Sequence, residues 1–172
     1  MAELVAVSVD APDEELRQAM LALWQRVNAA GGAVGFPADA KATEVALALD
    51  AALERVASGD DLLVTLRRGS ELLGFAFLVS HAGHLRRHWR TVLRVMVDPD
   101  LQGEGLGVRL MEAVHEQARR LGLEHLQLTV RGGLGLEQFY ARVGYVVVGR
   151  HPGAIRVAPG DDRDEVMLVA PL

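Results

Sequence analysis

Residues 92–121 constrain the chain more than any other stretch. An apolar run from Val92 to Val97 is stopped by Asp98-Pro99 and followed by the glycine-rich segment Gln102-Gly103-Glu104-Gly105-Leu106-Gly107. From Gly105 to Leu121 the residues Leu106, Leu110, Val114, Ala118 and Leu121 recur at helical spacing on one face. A buried strand that feeds a helix through such a turn is a building unit of an α/β sheet. Alternate glycines let the backbone approach a ligand and turn successive N–H groups toward one point, and the helix adds the positive end of its dipole. That geometry suits a diphosphate. Two nucleotide patterns fail here. A phosphate loop ends in Gly-Lys-Ser/Thr, and this segment holds no lysine; a dinucleotide fingerprint needs a further glycine where Val108 or Leu110 stands.

The remaining chain supplies a sheet around this unit. Glu3 to Val9 reads as a first strand. Asp10-Ala11-Pro12 offers a cap and first-turn proline to a helix carrying Leu16, Met20, Leu23, Trp24 and Val27, which ends near Gly31-Gly32. Gly31 to Asp39 reads as a loop, and Thr43 to Ala57 as a second amphipathic helix. Leu62–Leu66 and Leu72–Val79 form a hairpin through Arg67-Arg68-Gly69-Ser70. A polar connection from Ser80 to Arg90 leads into Val92–Val97. Past the long helix come a strand with Leu126, Leu128 and Val130, a short helix with Leu136, Phe139, Tyr140 and Val143, and strands at Tyr145–Val148 and Val166–Val169. The expected fold is a mixed α/β sheet with helices on both faces, in a single domain over residues 1–172.

Composition narrows the chemistry. The chain has no cysteine, which excludes disulfides, thiolate metal sites and a cysteine nucleophile. A formal charge of −5 argues against non-specific binding to nucleic acid. Neither a signal peptide nor a transmembrane run is expected, so a cytoplasmic location follows. His115-Glu116 opens like a zinc-protease helix, but Arg119 stands where the second histidine belongs. His81, His84 and His88 share a stretch crowded by Arg86, Arg87 and Arg90, so no metal is expected there.

The segment Gln102 to Gly107 resembles the Q/R-x-x-G-x-G/A signature of the GNAT acetyltransferases. The resemblance extends over Val95-Met96-Val97-Asp98-Pro99 and Phe139-Tyr140-Ala141-Arg142-Val143-Gly144-Tyr145, from about Val92 to Gly149. It implies a mostly antiparallel sheet splayed at the cofactor site and acetyl-CoA as co-substrate. By the same resemblance, Gln102 belongs to the cofactor site, and the amides of Gly103, Glu104, Gly105, Leu106, Gly107 and Val108 hold the pyrophosphate. Val95, Met96 and Val97 bond the pantetheine as a neighbouring strand would, and the Val95 N–H meets the thioester carbonyl as it becomes an oxyanion. A narrower likeness, through Gly31–Asp39, Gly149–Gly153 and Pro159–Asp161, is to the tabtoxin-resistance acetyltransferases, which act on the amine of an amino-acid-like β-lactam.

Attack by an amine on a thioester requires a neutral amine, an oxyanion donor and a proton for the leaving thiolate. The resemblance makes Tyr140 the acid. A base is not evident: Thr91 and Thr129 stand where relatives carry acidic residues, and Gly133 replaces an asparagine that contacts coenzyme A in relatives. A histidine of the Ser80–Arg90 stretch, a water chain or an unprotonated acceptor remain as sources of the neutral amine. Phe36, Trp89, His84 and Arg131 are candidate acceptor contacts, with Arg131 and Asp39 able to complement an amino acid's carboxylate and ammonium; Trp24 reads as core. The leading expectation is a small-molecule amine acceptor. Peptide amines and a non-catalytic acetyl-CoA sensor are the alternatives, and relatives allow a homodimer.

Overall fold

The computed structural model describes residues 3–172. Its elements run β1 (Leu4–Val9), α1 (Glu14–Ala29), α2 (Ala42–Ala57), β2 (Leu62–Arg68), β3 (Glu71–Val79), β4 (Trp89–Val97), α3 (Leu106–Arg120), β5 (His125–Arg131), α4 (Leu136–Arg142), β6 (Val146–Ala158) and β7 (Asp161–Pro171). The seven strands form one sheet in the order β1-β2-β3-β4-β5-β7-β6. Every pairing is antiparallel except β4 with β5. The expected mixed sheet, mostly antiparallel and splayed at one place, is the observed one.

The alternation of side chains along the strands divides the core between two faces. On one face, α1 and α2 cover Leu63, Leu72, Phe75, Phe77 and Met96 with Met20, Leu23, Trp24, Val45 and Leu49. On the other, α3 and α4 cover Val64, Leu66, Leu73, Ala76, Leu78, Val92, Leu126 and Leu128 with Leu110, Met111, Val114 and Tyr140. α1 begins three residues beyond the expected Asp10–Pro12 cap. The Asp13 carboxylate accepts the Leu16 N–H at 2.8 Å, and Glu14 and Glu15 complement the positive helix end.

Three strands are longer than the sequence expectation. Trp89 and Arg90, read as connection, are the first residues of β4. The last two strands, read as four residues each, are a ribbon of 13 and 11 residues. β6 is the outer strand of the sheet, where Pro152 is tolerated because its missing N–H need not face a partner. Register shifts between Val147 and Gly149 and between His151 and Ile155 absorb the irregular residues.

Candidate active site

The site originates in β4. Its pairing with β5 comprises only Trp89 with His125, Arg90 with Leu126 and Thr91 with Gln127. From Val92 onward the β5 side of β4 has no strand partner, although β4 stays paired with β3 as far as Val97. Between Leu93, opposite Phe77, and Met96, opposite Phe75, two residues of β4 face one of β3. This is a β-bulge, and Arg94 within it adopts φ +55°. The bulge re-phases the strand. Val95 and Val97 turn to the α3 face and Met96 buries its side chain on the α1 face, so Met96 can serve a ligand only through its main chain.

Beyond β4, a short 3-10 turn at Pro99–Leu101 leads into the glycine segment. Gly103 at φ +90° and Gly105 at φ +77° occupy the left-handed region that favours glycine, and Gly105 is the residue preceding α3. No side chain caps this helix, and its first turn holds no acid. The N–H groups of Gly103, Gly105, Leu106, Gly107 and Val108 bond to no group among the described residues. Glu104 differs from the expectation. Its N–H is turned toward the Leu101 carbonyl at 3.4 Å, and its carboxylate lies 3.6 Å from Arg68. Gln102 is exposed at the mouth of the loop. A Cβ at Gly107 would come within 3.1 Å of Phe139, so this glycine is needed where α3 passes α4. Unbonded amides at an uncapped helix start, beside an unpaired strand edge, fit an extended ligand bearing a diphosphate.

Tyr140, on α4, is buried on the same face as the cradle, between Phe139 at 4.9 Å and Tyr145 at 5.5 Å between ring centroids. Its hydroxyl makes no hydrogen bond among the described residues. Burial raises its pKa above the ordinary 10.0, so the phenol stays a proton donor.

On the opposite face, the C-terminal end of α1 spans the mouth of the splay. Arg26 pairs with Asp98 at the end of β4, and Arg131 at the end of β5 donates to the Gly31 carbonyl at 2.9 Å. Arg131 is therefore engaged in holding this segment and is only partly available to an acceptor. Phe36 lies edge-on to Trp24, with centroids 5.7 Å apart. Asp39 is exposed on the same connection. The Arg94 guanidinium stacks over Trp24 at 4.8 Å, a contact invisible in the sequence because the bulge that turns Arg94 inward leaves no pattern.

Trp89 and His84 are placed elsewhere. Trp89 starts β4 where it is paired with β5, about 20 Å from Val95 at the usual rise per strand residue. There it stacks on His125 at 5.6 Å and His81 at 4.1 Å, and His84 is exposed in the turn before it. Nearness in sequence to β4 brought them to the wrong end of the strand. His81 bonds Thr91 at 3.1 Å, and burial followed by the Arg86 charge lowers its pKa; it belongs to that remote cluster too. No group of three or more potential metal ligands occurs among the described residues, and no helix among them is long and apolar enough to cross a membrane.

A family model described as an acetyltransferase (GNAT) domain matches residues 26–153. A GNAT-family acetyltransferase from Streptococcus pneumoniae superposes with a TM-score of 0.80 at 18% identity, over 99% of this chain and 100% of that one. A Salmonella typhimurium protein named as an acetyltransferase, solved with its cofactor acetyl-CoA, gives 0.77 at 16% identity, over 99% and 95%. The ribosomal-protein-S18-alanine N-acetyltransferase of Escherichia coli gives 0.71 at 19% identity, over 98% and 94%. At these identities the likeness is one of fold.

Proposed function

The chain belongs to the GNAT acetyltransferase family and is an acetyl-CoA-dependent N-acetyltransferase, and from that premise we propose that its acceptor is the amine of a small, amino-acid-like or antibiotic-like molecule. The observation that carries the reading is the set of unbonded amides at Gly103 and Gly105–Val108, next to the free edge of Val92–Val97. Those amides hold the pyrophosphate of acetyl-CoA, and the strand edge aligns its pantetheine arm. The co-substrate supplies the thioester to be attacked.

The roles of the protein groups follow from where charge develops. The Val95 N–H, freed from regular pairing by the bulge, stabilises the oxyanion formed as the amine nitrogen bonds to the acetyl carbon. The carbon–sulfur bond then breaks, and Tyr140 donates its proton to the leaving thiolate. The nitrogen's proton passes to water, which also returns one to Tyr140. Thr91 and Thr129 carry no charge, so the acceptor enters unprotonated.

Gly31–Asp39 supports a small acceptor, because Phe36 packs edge-on against the buried Trp24 and anchors this loop to the core beneath α1. The narrower likeness to tabtoxin-resistance acetyltransferases rests on the sequence of the same segment. Purified protein with acetyl-CoA and parallel panels of amino acids, amines and peptides tests the proposal through release of free thiol. Turnover confined to peptides would overturn the acceptor class. Absence of calorimetric heat with acetyl-CoA at millimolar concentration would overturn the cradle.

A further inference from the structure

Arg94 has no part in the chemistry above, yet its placement is costly twice over. Its backbone holds φ +55°, a region that non-glycine residues rarely occupy. Its guanidinium is partly buried, burial lowers its pKa, and no carboxylate among the described residues forms an ion pair with it. Stacking on Trp24 at 4.8 Å, with Phe77 at 6.0 Å, offsets part of that cost and fixes the plane of the group, while its N–H donors have no hydrogen-bond partner among the described residues. One turn beyond Trp24 on α1, Asn28 is 3% exposed, and neither its amide nitrogen nor its amide oxygen has a partner among the described residues. Both residues lie on the α1 face, and the end of α1 is tied across the splay by Arg26–Asp98 and Arg131–Gly31.

We propose that Arg94, with Asn28 one helical turn past its stacking partner, receives a carboxylate of the acetyl acceptor. The acceptor is then an amino acid or close analogue, and a simple amine or polyamine is disfavoured. The proposal rests on the acetyl-transfer reading for the identity of that ligand. A carboxylate is favoured over a phosphoryl group by charge. One guanidinium matches one negative charge, whereas a phosphoryl group needs a second free cation. Arg26 and Arg131, which tie the end of α1 across the splay, are engaged by Asp98 and the Gly31 carbonyl.

Two readouts test it. The first is thiol release from acetyl-CoA with the twenty amino acids and their primary carboxamides, which keep the amine and lose the anion. The second is fluorescence of Trp24 in a Trp89→Phe variant, which leaves it the only tryptophan, titrated with the same compounds in the absence of cofactor. At least one free amino acid should exceed its carboxamide in kcat/KM by on the order of a hundredfold and should change the Trp24 emission where the carboxamide does not. Arg94→Gln should shrink both differences to within about threefold and leave the KM for acetyl-CoA unchanged, with Arg94→Lys intermediate. Asn28→Asp, which supplies an internal carboxylate, should act in the same direction and guards against a folding defect in the Arg94 variants. Equal use of acids and carboxamides, equal loss of both in Arg94→Gln, or no emission change with any amino acid would overturn the proposal. An acid-specific emission change without calorimetric binding of acetyl-CoA would leave the carboxylate site standing and remove acetyl transfer instead.

Discussion

Thr91 lies opposite Gln127 as the last paired position between β4 and β5. Two parallel strands that part after three residues leave the rest of β4 with main-chain groups unbonded on one side, a state that free strands inside a sheet rarely keep. Hydrogen exchange should therefore distinguish the two halves of β4. Amides within Val92–Val97 and residues 103–108 should exchange faster without ligand and gain protection with acetyl-CoA, while Trp89–Thr91 should change little. Protection spread evenly over β1–β3 would contradict a ligand seated in the splay.

The cradle depends on backbone directions that only glycine holds at low cost. A Cβ at Gly105 would meet nothing within 4 Å, so Gly105→Ala suffers from its φ of +77° and not from crowding. Stability should fall by about 1 kcal/mol, a drop of about 3 °C in Tm. The KM for acetyl-CoA should rise about tenfold as the amides turn away from the phosphates, with kcat largely kept. Steady-state kinetics beside a thermal melt checks both; an unchanged KM would take Gly105 out of the cofactor site.

What the sequence made legible follows from how local the cause is. The glycine turn and α3 are specified by neighbouring residues, glycines at 103 and 105 and an apolar face at helical spacing, so both are legible in the sequence and occur where expected. The β6–β7 ribbon was foreshortened because β6 is an outer strand with mostly exposed residues, so it carries no apolar alternation, and Pro152-Gly153 reads as a turn. Arg94 escaped notice because a bulge is a property of two strands paired together. Trp89 and His84 lie toward the paired end of β4, and sequence adjacency to a strand does not tell which end of it is open.

Tyr140 carries the clearest kinetic expectation. Its ring packs on Phe139 and Tyr145, so Tyr140→Phe preserves the packing and removes only the proton. The kcat should fall on the order of a hundredfold, with the KM for acetyl-CoA within about threefold of wild type. Burial raises the phenol above 10.0, so it remains protonated through neutral and moderately alkaline pH. No decline in kcat between pH 7 and about 10 should trace to Tyr140. A decline near pH 8 that disappears in Tyr140→Phe would refute the assignment of a buried acid.

Asp61 supports the sheet far from the chemistry and predicts the acid limit of stability. Its carboxylate accepts Arg55 N–H groups at 2.6 and 2.8 Å and the Ser80 N–H at 2.9 Å. Burial acts to raise its pKa, but these hydrogen bonds outweigh it and hold the group below the ordinary 3.8. A pKa depressed on folding contributes stability above the unfolded value, and that contribution is lost as pH falls through the folded one. Asp61→Asn should cost about 2 kcal/mol at pH 7, or about 6 °C in Tm. The gap between wild type and variant should stay level down to about pH 4 and close below it, as wild-type Asp61 takes up its proton. Thermal melts of both proteins from pH 7 to 2 check this, and a gap that persists at the acid end would mean that the Arg55 pair does not govern acid unfolding.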